Sequence, residues 1–125
     1  MTTIIDPLGT PSIVYNKSGT VLITFTAVRQ AGSPPAADPI PYVTGHTIAY
    51  LEADDNGIGT PWVELPTGAD IGDVCEVYLK QSMTGTELIV VPPSGENLGG
   101  NSNISNSNGG FFRKVEASVW KRVQV

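Results

Sequence analysis

Between residues 62 and 98, short runs of branched and aromatic side chains alternate with clusters of turn-forming residues. Trp62-Val63-Glu64-Leu65 ends at Pro66. Val74, Val77 and Tyr78 alternate imperfectly with Cys75, Glu76 and Lys80, and Leu88-Ile89-Val90-Val91 runs unbroken into Pro92-Pro93. The pattern predicts strands over 62–65, 74–80 and 87–91, the last buried on both faces. The intervening glycine, proline, aspartate and serine supply the backbone angles that turns require. Proline has no N–H for a sheet ladder, so Pro92-Pro93 closes the third strand.

Upstream, Asn16-Lys17-Ser18-Gly19 is a turn signal that joins 12–15 and 20–28 as a hairpin. Val21, Ile23 and Phe25 are expected to face inward, with Leu22, Thr24 and Thr26 opposite. Residues 1–10 read as an arm, turned by Asp6-Pro7-Leu8-Gly9-Thr10-Pro11 before the first hairpin strand. The proline-rich residues 30–41 are expected to be extended or loop-like and to lie outside the core. A further strand is predicted at 46–51, then a turn at Asp54-Asp55-Asn56-Gly57. After the Gly/Asn/Ser stretch that begins at Gly99 come strands at 111–115 and 119–125. No repeat of fixed period is visible.

A chain of 125 residues fits one domain, here an arm at 1–10 and a β-domain at 11–125. With 14 Gly, 10 Pro and only 15% charged residues, strands joined by turns are favoured over helices. The expected fold is therefore all-β: a compact antiparallel β-sandwich or barrel-like domain with long Gly/Pro/Asn-rich loops. One cysteine, Cys75, cannot form an internal disulfide, and its place in a strand assigns it an apolar, buried role.

The net charge of −5 disfavours the polyanionic backbone of DNA or RNA, so nucleic acid is not an expected partner. The opening residues lack the basic start and apolar core of a secretory signal. No run approaches the roughly 18 apolar residues that span a bilayer, so no membrane partner is expected.

Candidate chemistry is sparse. Asp54-Asp55-Asn56-Gly57 resembles the start of a calcium loop, but the twelfth position from Asp54 is Leu65 where an EF-hand requires glutamate. A turn is expected instead. His46 is the only histidine, which rules out a multi-histidine metal site within one chain. No nucleophile elbow accompanies it, and Gly95-Glu96-Asn97-Leu98-Gly99-Gly100 lacks the Gly-Lys-Ser/Thr ending of a phosphate loop. An enzyme is not expected, nor is a cofactor or metal. Asn101, Asn103, Asn106 and Asn108, with Trp62 or Trp120 as a stacking platform, form a candidate glycan site, set against a plain polar loop.

The second half of the chain resembles a module of tailed-bacteriophage virion proteins. The residues that carry the likeness are Leu65-Pro66, Gly72-Asp73-Val74, Pro92-Pro93-Ser94-Gly95, Gly99-Gly100-Asn101, Phe111-Phe112 and Trp120. The resemblance implies a small β-domain used in head decoration or in tail and fibre parts, usually assembled with threefold or higher symmetry. The leading expectation is a capsid decoration (cement) protein, a homotrimer on the outer capsid surface of the virion that binds the major capsid protein and stabilises the head. The alternative is a tail, baseplate or fibre component with glycan or receptor binding. Candidate partner contacts are Ile4, Ile5, Pro7 and Leu8 in the arm and Pro34 and Pro35 in the proline-rich loop.

Overall fold

The computed structural model describes residues 3–4, 12–15, 19–80, 87–99, 102–105 and 108–123. Among these, the regular structure is entirely β: β1 (Thr3–Ile4), β2 (Ser12–Tyr15), β3 (Thr20–Thr24), β4 (Thr26–Val28), β5 (Asp38–Pro39), β6 (His46–Asp54), β7 (Trp62–Glu64), β8 (Val74–Leu79), β9 (Glu87–Val91), β10 (Asn97–Gly99), β11 (Asn103–Ser105), β12 (Gly110–Glu116) and β13 (Val119–Val123). They form two sheets. The large one has the order β1-β2-β3-β6-β8-β12-β13-β10, with β4 beside β6, and the small one has the order β11-β9-β7-β5.

From β3 to β9 the chain crosses repeatedly from one sheet to the other, and each return lands parallel to the strand before it. β3 and β4 lie parallel to β6, and β6 to β8; in the small sheet β5 lies parallel to β7, and β7 to β9. Thr20, His46 and Val74 therefore stand in line, 26 and then 28 residues apart. Asp38, Val63 and Val90 do the same at intervals of 25 and 27. This is a short β-solenoid of three rungs. The antiparallel sandwich or barrel expected from the sequence is corrected at this point: antiparallel pairing is confined to the flanks, where β1 joins β2, β2 joins β3, β12 joins β8 and β13, and β11 joins β9. Parallel strands need a long crossover, and each rung supplies it by passing through the opposite sheet.

Stacking explains the core. Val21, Thr47 and Cys75 align across the rungs, as do Ile23, Ala49 and Val77, and all six are buried. Against them pack Ile40, Val63, Leu65, Leu88 and Val90 from the small-sheet side, closed by Ile104, Phe112 and Trp120. Strict alternation of burial along β6 and β8 is what a two-layer structure with one wet face produces. β9 alternates as well, with Ile89 and Val91 only half-buried, so it is not enclosed on both faces as its continuous apolar run predicts.

The hairpin of β2 and β3 forms in the expected place, with Val21 and Ile23 inward; Phe25, at the break between β3 and β4, is only partly buried. The proline-rich segment differs from expectation. Pro35 and Ile40 are buried, and Asp38–Pro39 is the edge strand of the small sheet. The Val28 N–H donates to Asp38 Oδ2 at 2.9 Å, and the Val28 carbonyl accepts from the Gln30 side-chain amide at 3.2 Å. Side chains thus occupy both backbone groups of Val28, the last residue of β4.

Among the described residues a polar cluster is built into the apolar interior. Lys114 points inward from β12 and is buried; its Nζ donates to the Ala69 carbonyl at 2.8 Å and lies 2.9 Å from Glu96 Oε1. The indole N–H of Trp120 donates to the same Glu96 oxygen at 3.1 Å. The cluster ties the 65–73 turn, the Glu96 turn and the β12–β13 hairpin together.

Candidate functional site

Side chains at alternate positions on the large sheet face away from the core, and strand register lines them up in rows. Val14, Leu22, Ile48, Glu76, Phe111 and Val123 form one row across six strands. Apart from Glu76 the row is apolar, and Leu22 and Val123 are each 38% exposed. Beside it Tyr50 and Tyr78 sit in register on β6 and β8, at 40% and 36% exposure. A solvated sheet face normally alternates to polar residues, so this apolar and aromatic band stands out among the described residues.

The one acid within the band is engaged on both oxygens. Glu76 Oε2 lies 2.5 Å from His46 Nε2, and Glu76 Oε1 accepts from the Tyr78 hydroxyl at 2.5 Å. That hydroxyl bond, with burial and the nearby charge adding to it, pushes the Tyr78 phenol up to about 12. Gly109 leaves room for the Tyr78 ring, which a Cβ at that position would meet. Glu52 lies 3.3 Å from the Lys80 ammonium and accepts from the Thr26 hydroxyl, and Lys80 sits 5.9 Å from the centre of the Tyr50 ring. These contacts fix the positions of the aromatic rings and polar groups relative to one another. A nucleophile is not among them: Cys75 lies beneath this face, fully buried, and burial first and Glu76 second raise its thiol far above the usual range.

The other sequence candidates resolve individually. Asp54 and Asp55 form a turn, each accepting a backbone N–H through Oδ1, from Asn56 and Gly57 respectively, both at 2.9 Å. Among the described residues no three His, Cys, Asp or Glu side chains gather as a metal site. Trp120 is buried and Trp62 half-buried, so Trp120 cannot serve as a glycan platform; Asn103 and Asn108 are exposed, and Asn101 and Asn106 lie outside the described residues. Ile4 pairs through its backbone with Ile13, which places it on the outermost strand of the large sheet. Ile5, Pro7 and Leu8 lie outside the described residues. Pro34 is exposed, whereas Pro35 is buried and presents no surface to a partner.

Sequence reasoning missed the Tyr50–Tyr78 band and the Lys114–Glu96 pair. The first had a signal in the i, i+2 placement of Glu76 and Tyr78. The second had one in the position of Lys114, two residues after Phe112 and hence on the same face. No family model matches the chain, and no curated protein matches it.

Proposed function

We propose that the chain is a structural protein of a tailed-bacteriophage virion, with head decoration as the leading assignment: an all-β module that binds the outside of the major capsid lattice. The observation that carries the reading is the outer face of the large sheet. Its apolar and aromatic band is held in place by hydrogen bonds and has no activated nucleophile, which suits permanent contact with protein better than turnover of a substrate. The sequence motifs of the second half point the same way. The arm strand β1, paired at the sheet edge, illustrates how a few residues add backbone hydrogen bonds to an existing sheet.

A tail or fibre role is the second reading, favoured by one observation. The three rungs repeat at intervals of 25 to 28 residues, an architecture that extends by adding rungs. Immunogold electron microscopy of particles from the source lysate, with antibody against this chain, separates the two. Label over heads supports decoration; label on tails or fibre tips moves the protein there. Unlabelled particles in a lysate that contains the chain would remove it from the virion.

A further inference from the structure

We infer that the outer face of the small sheet binds an uncharged saccharide, stacked on Trp62 and bordered by Asn103, Glu64 and Glu87. This face lies across the core from the large-sheet band, so the inference goes beyond the assembly reading and stands or falls without it.

Register builds the site. Trp62 on β7 and Asn103 on β11 are both Cα partners of Ile89 on β9, one on each side of it. Burial alternates along all three strands: Val63, Leu88, Val90 and Ile104 point inward, which sends Trp62, Glu64, Glu87, Ile89 and Asn103 to the outer face. Two inter-strand spacings separate Trp62 from Asn103 by about 10 Å, and Glu64 and Glu87 lie no farther from Trp62 than that. The Arg122 guanidinium donates to the Asn103 carbonyl at 2.7 Å, and the Thr67 hydroxyl donates to Glu64 Oε1 at 3.3 Å, so the borders of the face are tied down.

The chemistry matches the two sides of a sugar ring, one an apolar face of C–H groups and the other a rim of hydroxyls. Trp62 is half-buried and offers apolar ring surface with a polar N–H at its edge. The Asn103 amide both donates and accepts, and the two carboxylates accept from hydroxyls. Size argues against a protein occupant. Three inter-strand spacings, multiplied by the roughly 16 Å length of β9, give a face on the order of 200 Å², far below the ~800 Å² per partner of a specific protein interface. Charge selects among sugars. The charged outward positions of the small sheet, Glu64 and Glu87, are both acidic, and Arg122 and Arg29 stand only at its borders, on the carbonyls of Asn103 and Thr60. A sugar carrying carboxylate or phosphate would meet like charge.

The test is titration of the full chain with soluble oligosaccharides of glucose, mannose, galactose and N-acetylglucosamine, and with an oligogalacturonate as the anionic comparison. Concentrations reach about 20 mM, which covers the millimolar affinity of a shallow site. Tryptophan emission and amide chemical shifts are read together. At least one neutral sugar is expected to give a saturable change, with shifts centred on residues 62–64, 87–91 and 103–105. Trp62→Ala should weaken binding at least tenfold, and Trp62→Phe, which keeps a ring, should retain most of it. Because Trp62 is half-buried, Glu87→Ala at an exposed position is the second variant: it should weaken binding while leaving the circular dichroism melt unchanged. No binding across the panel, tighter binding of the oligogalacturonate, shifts centred elsewhere, or an affinity indifferent to Trp62→Ala and Glu87→Ala overturns the inference.

Discussion

Replacing Lys114 with methionine keeps the length and apolar stem of the side chain but removes both contacts of its ammonium. The Ala69 carbonyl loses its donor, and Glu96 is left with the Trp120 indole alone. Breaking one partner of a buried pair costs about 3–5 kcal/mol. The Lys114 side chain is only 6% exposed and that of Glu96 15%, so water reaches the orphaned carboxylate a little and the lower end applies, about 3 kcal/mol. For a chain of this size that is a fall in Tm of roughly 10–15 °C. Urea denaturation of Lys114→Met, Glu96→Gln and the double variant measures it. The double variant should be more stable than the sum of the single losses predicts, by about 2 kcal/mol. Because the pair is enclosed, added salt should leave the difference almost unchanged. A loss under about 1 kcal/mol, additive single effects, or disappearance of the difference in high salt would each refute the reasoning.

Gly110→Ala places a Cβ 2.5 Å from Ile104 Cδ1 and from the Phe112 ring, both buried, and should cost about 1–3 kcal/mol by thermal melting. The hydroxyl of Thr47 is buried with no hydrogen-bond partner, so Thr47→Val should leave stability unchanged or raise it by up to about 1–2 kcal/mol in the same assay. Cys75 should resist an aromatic disulfide reagent in the native chain and react at once in denaturant. The Tyr78 phenol is raised to about 12 by its bond to Glu76, and the neutral form is the one the fold stabilises. Its contribution is therefore complete below the ordinary tyrosine value near 10 and is lost as pH rises toward 12. Ultraviolet titration of Glu76→Gln should return one late-titrating tyrosine toward the ordinary range.

Strands were readable from the sequence because period-two alternation is local: 12–15, 74–80 and 87–91 need only their own residues and the turns that bound them. Their partners were not readable. Val21, Thr47 and Cys75 share a stack but not an identity, and the rung interval drifts between 25 and 28 residues. A search for a repeat of fixed period therefore finds nothing, although the repeat exists in space. The alternation that predicts a strand is also blind to the direction of its neighbour, which is how a parallel solenoid came to be expected as an antiparallel sandwich. The candidate surface was hidden for a related reason. Leu22, Ile48, Tyr50, Tyr78, Phe111 and Val123 are scattered over about 100 residues, and only strand register brings them to one face.

A structure made of stacked rungs has no internal reason to stop growing, since its last strand always resembles a template for the next. At the β5 end this chain supplies the stop with two residues: Pro39 withholds a backbone donor, and Asp38 turns back to occupy the N–H of Val28. Undoing that blunting, by exchanging both for residues that leave the strand open, would expose this edge to strand pairing with another chain, while antiparallel β11 already covers β9 at the other end and limits the product to pairs. Pairing of two chains edge to edge, rather than loss of folding, is then the expected consequence of opening that strand.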